Sequence, residues 1–123
     1  MFTSNFRVSG SNPHAIAICL HLPANWKGKC YRKLAPFASM LLLKDREEEY
    51  TKLYQERVLS MLRPHAIYNE LGEDAILLCY EEPGEFCHRR LVAAWIEKHL
   101  GFQVPEIPAI PKPPSPQQLD LKI

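Results

Sequence analysis

AILLCYEEPGEFCHRRLVAAWIEKHL, residues 75–100, decides how the rest of the chain is read. Ala75–Cys79 is a short apolar run and reads as a buried strand. Leu91, Val92, Trp95, Ile96 and Leu100 fall at helical spacing. Cys87–Leu100 therefore reads as a helix, stopped by Gly101. The polar turn Glu81-Glu82-Pro83-Gly84-Glu85 joins the two. Strand, turn and helix form the unit whose junction binds ligands in open α/β sheets. Here the junction carries Cys79, Glu81, Cys87, His88 and Arg89.

Working outward, Ala15–Leu20 is a second apolar run without clean alternation, which suits a strand covered on both faces of a parallel sheet. Phe2–Ser4 reads as a short first strand, with Asn5, Phe6 and Arg7 at its end. Residues 24–35 have no period and read as a long loop. Pro36 opens a helical segment through Phe37, Met40 and Leu41. Asp45 is placed to cap a helix over Arg46–Leu62, whose stripe is Tyr50, Leu53, Tyr54, Val58, Met61 and Leu62. Pro64–Leu71 is a shorter helix stopped by Gly72. The two apolar runs are predicted to pair in parallel as neighbours or near neighbours, with helices on both faces. The fold class is thus α/β, a small three-layer domain with a mainly parallel sheet flanked by helices.

Phe102–Val104 reads as a last short strand. Six prolines then fall between residues 105 and 116, too many for a helix or a central strand. The expected organisation is one domain over residues 1–104 and an extended proline-rich tail over 105–123, dispensable for folding. Its Pro-x-x-Pro spacing fits either a loose strap or a docking motif for an aromatic groove.

A chain of 123 residues with 46% hydrophobic content forms one domain with a core. A formal net charge of +1 gives no signal for nucleic acid or an anionic membrane. No apolar run approaches the roughly 20 residues that cross a bilayer. Met1–Ser4 has neither the basic region nor the apolar stretch of a secretory signal, so a cytoplasmic location is expected. There the four cysteines, Cys19, Cys30, Cys79 and Cys87, are thiols, ligands or nucleophiles rather than disulfides.

The last helix breaks a local rule. His88, Arg89 and Arg90 crowd its N-terminus, where each cation costs roughly 0.3–1 kcal/mol against the helix dipole. A bound phosphate or carboxylate would remove the conflict, and so would Glu81, Glu82 and Glu85. Cys87 shares a row with Leu91 and Trp95 and should face the core. Arg89 shares one with Ala93 and Glu97 and should lean outward. Cys87, a thiol at a helix N-terminus beside cations, is a candidate nucleophile. Glu81 is a candidate general base, or an ion-pair partner of Arg89. Cys79, Cys87 and His88 are soft donors, and His14, His21, Cys30 or His65 could add a fourth. No Cys-x-x-Cys pair is present, however, and adjacent Cys87 and His88 diverge by a helical step. The spacing therefore assigns no metal, and no cofactor follows from the sequence. In the long loop, Trp26 and Lys27 could stack a base or sugar beside a phosphate. Ser4, Asn5 and Arg7 would join them at the strand ends.

The segment CYEEPGEFCHRRLVAAW, residues 79–95, together with Phe2-Thr3-Ser4-Asn5-Phe6 and Leu34-Ala35-Pro36, resembles the YeaO-like family, domain of unknown function 488. The resemblance covers roughly residues 1–101. It implies a small α/β fold and no particular activity. The expected site has Glu81 and Cys87 as catalytic candidates. Ser4, Asn5, Arg7, Trp26, Lys27, Cys79, Glu81, His88 and Arg89 are its ligand-binding candidates. The expected ligand is a small phosphate- or nucleotide-like molecule. Three classes stay open: an enzyme, a module that only captures the ligand, and an interaction protein whose Cys-His-Arg turn is structural.

Overall fold

The computed structural model describes residues 1–109. In chain order they form β1 (Phe2–Asn5), α1 (Phe6–Ser9), β2 (Ala15–Ala17), β3 (Lys29–Cys30), α2 (Glu47–Arg57), α3 (Pro64–Leu71), β4 (Ile76–Cys79) and α4 (His88–Leu100). Short 3-10 turns lie at Arg32–Leu34, Ala38–Leu43 and Leu59–Met61. The strands make one all-parallel sheet in the order β1-β4-β2-β3. The two apolar runs do pair as neighbours, with Ile16 opposite Leu77.

β4 is central because it can be buried on both faces. Side chains alternate along a strand, so Leu77 and Cys79 share one face while Ile76 and Leu78 share the other. The first pair joins a large core with Tyr54 of α2, Ile67 of α3, and Val92 and Ile96 of α4. The second pair meets Phe6 of α1, Trp26 and Ile107. Helical segments thus cover both faces, but unequally. Each fully buried leucine on β4 contributes about 1.5–3 kcal/mol.

The helix ends follow their punctuation. Pro64 occupies the start of α3, and Gly72 and Gly101, at φ 93° and 81°, end α3 and α4. α2 is shorter than its stripe suggests. It closes at Arg57 and tightens into the Leu59–Met61 turn, because Arg63 must be extended before Pro64. Its N-cap is Arg46, not Asp45, and caps nothing with its side chain. The Pro36 segment becomes a 3-10 turn in which only Met40 is buried, too little apolar contact for a longer helix. Residues 24–35 are not one loop but hold β3, an edge strand of two exposed residues, and the Arg32–Leu34 turn.

No strand forms at 102–104; the pairing comes just after it. Thr3 donates its N–H to the Pro105 carbonyl at 3.0 Å and accepts from the Ile107 N–H at 2.8 Å. Residues 105–107 thus lie along the free edge of β1, with Thr3 and Glu106 in parallel register. Proline is tolerated there because only its carbonyl is needed. The pairing runs past Val104, after which the sequence reading places the tail; residues 110–123 of that tail lie outside the described residues. Among the described residues, no helix is long and apolar enough to cross a membrane.

Candidate functional site

Parallel strands bring their carboxyl ends to one edge of the sheet. At the ends of β2 and β4 lies a cavity of about 110 Å³. Cys19 and His21 follow β2 into its wall. Cys79, Tyr80 and Glu81 come from the end of β4, and Phe86, Cys87 and His88 from the entry to α4. Lys44 and Tyr50 close the side towards α2.

Cys79, Cys87 and His88 are buried in this wall, as are Cys19 and Tyr50. His88 lies with Nε2 2.8 Å from the Ile18 carbonyl oxygen. A carbonyl only accepts, so Nε2 carries the hydrogen and donates it; in the neutral ring Nδ1 is left bare. Nδ1 lies 3.6 Å from Cys79 Sγ and 3.9 Å from Cys87 Sγ. The donor atoms of all three residues fall within 4.8 Å of one another. The sequence reading had Cys87 and His88 diverging by a helical step. They converge because Cys87 is the N-cap, with an extended backbone at φ −155° and ψ 145°, and is not yet on the helix.

Burial pushes the Cys79 thiol well above its ordinary range, and the neighbouring Cys87 adds to the rise. Burial opposes ionisation of Cys87 too, but the hydrogen bond with Cys79 and the nearness of His88 outweigh it and hold Cys87 below the ordinary thiol range. Cys19 is driven up by burial to about 11 and donates its S–H to the His21 carbonyl at 3.2 Å.

Glu81 is a half-buried carboxylate at the cavity edge. Burial would raise it, but Lys44, with Nζ 2.7 Å away, and Cys87 hold it below the usual carboxylate range.

Arg89 corrects the outward placement read from its helical row, for its side chain is 0% exposed. Nε and Nη2 grip the Glu106 carboxylate at 2.9–3.2 Å, and Nη2 also donates to the Glu81 carbonyl at 2.8 Å. Nη1 stands 3.9 Å from the Glu81 carboxylate with no hydrogen-bond partner among the described residues. An isolated helix would turn this row to water. Here Val104 donates its N–H to Glu97 and Glu106 covers Arg89, so residues 104–106 close over the row. Thr3 donates to Glu106 at 2.7 Å, and Arg90 donates to Thr3 and to the Val104 carbonyl, both at 2.8 Å.

Of the expected ligand-binding residues, Cys79, Glu81 and His88 line the cavity, as does Cys87. The rest serve the frame around it. Asn5 caps α1 through Val8 N–H and donates to the Glu81 carbonyl at 3.2 Å. Ser4 shares a hydrogen bond with Ser9, and Arg7 forks onto Glu82. Trp26 packs edge-on against Phe6 with ring centres 5.1 Å apart, and Lys27 is exposed beside it. Sequence reasoning missed Cys19, Lys44, Tyr50 and Tyr80. Cys19 and Tyr80 had a signal, for each sits just past an apolar strand; Lys44 and Tyr50 arrive by tertiary packing alone. No protein-family model, curated protein or solved structure matches this chain.

Proposed function

We propose that the cavity binds a small anionic ligand of the phosphate type and converts it through Cys87, with Glu81 as the neighbouring acid–base group. One observation carries this reading. The Cys87 sulfur lies in the cavity wall at the start of the 13-residue α4, beside His88, where no side chain caps the helix and no acidic residue sits in its first turn. Free N–H groups at a helix start favour an anion, and they favour a thiolate at the same place. Lys44 also lines the cavity, paired there with Glu81. Arg89 is left out, because Glu106 fills its fork. The cavity is small, so it suits the phosphate end of a ligand, with any sugar or base outside. A reduced Cys87 fits a cytoplasmic setting. Membership of the YeaO-like family belongs to the same proposal, since four of the motif residues, Cys79, Glu81, Cys87 and His88, meet at this cavity.

A thermal-shift screen of inorganic phosphate, phosphate monoesters, nucleotides and simple carboxylates tests it. A true ligand at a hundredfold excess over Kd stabilises the fold by about 2.7 kcal/mol. The expected result is stabilisation by phosphate compounds, which also slow alkylation of Cys87 by iodoacetamide. Cys87→Ser should keep the shift and abolish turnover; turnover that persists in this variant makes the site a capture module. If no anion shifts the melt or protects Cys87, the reading fails.

A further inference from the structure

We propose that Cys79 Sγ, Cys87 Sγ and His88 Nδ1 form a three-donor site for a soft divalent cation of the zinc class, with the fourth position open to the cavity. The proposal goes beyond the anion reading and does not need it. Its first support is metric. Zinc–sulfur and zinc–nitrogen bonds of about 2.3 and 2.0–2.1 Å in a tetrahedron set nitrogen–sulfur edges of about 3.6 Å. The His88 Nδ1 edges to Cys79 and Cys87 are 3.6 and 3.9 Å.

The second support is orientation. A ligating histidine characteristically donates its other ring N–H to a carbonyl or carboxylate, which fixes the tautomer and aims the lone pair. The Ile18 carbonyl does this at 2.8 Å. The third is charge. The cation displaces the thiol protons of Cys79 and Cys87 to solvent, and the two thiolates with a neutral imidazole make an uncharged centre. That suits a place where the three residues are 1%, 4% and 6% exposed, since an uncompensated charge there is costly. Two thiolates and an imidazole select a zinc-class ion over magnesium or calcium. Three protein donors with one open position is also the pattern of sites that bind an exogenous ligand at the metal. A metal-bound Cys87 is not free to attack, so cation and electrophile compete for one sulfur.

The full chain, kept reduced with a phosphine and stripped by a chelator, is titrated with Co²⁺ and then Zn²⁺. The expected result is one cobalt per chain, a sulfur-to-cobalt charge-transfer band and the intense visible bands of a tetrahedral centre, all bleached by zinc. Cys79→Ser and His88→Ala should weaken binding by more than about 100-fold, beyond the loss of an outer partner. Cys30→Ser, at an exposed residue away from the cavity, should change nothing. Should the site variants misfold, the wild type still decides: zinc must shield Cys79 and Cys87 from alkylation and leave Cys30 reactive. Absence of the charge-transfer band in the wild type, its survival in a folded Cys79→Ser, or shielding that falls on other thiols would overturn the site. Phosphate protection measured on the metal-free protein reads the anion pocket separately, so either proposal can fail alone.

Discussion

At Arg89 a guanidinium lies wholly out of water, and its charge is met by Glu106, which follows α4 in the chain. Removing one member of a buried pair leaves the other uncompensated, at a cost of about 3–5 kcal/mol. Glu106→Ala is therefore expected to lower the urea unfolding free energy by about that much, and Glu106→Gln by less. The pair also makes stability depend on pH. Burial would raise Glu106, but hydrogen bonds from Arg89 and Thr3 and the charges of Arg89 and Arg90 hold it below the usual carboxylate range. A depressed folded-state value stabilises above the unfolded value of about 4.3 and loses that stability as pH falls through the folded value. The gap between wild type and Glu106→Gln should be level near neutrality and shrink on acidification. A gap that stays constant into strong acid would remove the carboxylate charge from the account. The Glu81 partner of Arg89 was legible, and Nη1 does stand 3.9 Å from its carboxylate; Glu106 was not, because it sits in a proline-rich segment with no apolar pattern. The types of Cys79, Cys87 and His88 were legible, but their convergence was not. Helical stepping does not apply to an N-cap, and the sequence does not say which residue the N-cap will be.

Among the elements, β4, α3 and α4 stood out because burial on two faces, or a proline start and a glycine stop, leaves a local mark. β3 left none, being two exposed residues held by backbone pairing and by the Trp26 indole N–H on the Lys29 carbonyl. The reach of α2 was overestimated because its stripe continues through the Leu59–Met61 turn, where Leu59 is still buried. One contact ties α2 to the segment before it. The fully buried Tyr54 hydroxyl donates to the Leu34 carbonyl at 2.6 Å. Tyr54→Phe keeps the ring and leaves that carbonyl without this donor, so a loss of about 1–3 kcal/mol is expected in chemical denaturation. A neutral substitution would show that the Leu34 carbonyl finds water.

For the whole molecule, the sequence reading ends the domain at Val104, and the pairing of residues 105–107 with β1 asks what those residues contribute. Truncation after Val104 removes both Glu106 and the hydrogen bonds to Thr3. It is expected to destabilise at least as much as Glu106→Ala, by thermal or urea melt. A truncated chain that melts like the full one would restore the dispensable tail. The α/β class itself was legible because two unbroken apolar runs separated by helical segments have few other arrangements.

The strand order also fixes when the chain can begin to fold. β1 has β4 on one side and residues 105–107 on the other, while β2 meets β4 across seams some 60 residues apart in sequence. Nothing the ribosome makes before residue 76 gives β1 a partner, and the cover over Arg89 arrives thirty residues later. Contacts this distant in sequence slow the search for the native state. Residues 1–75 thus emerge with β1 unpaired, and joining it to β2 and β3 in one sheet waits on β4.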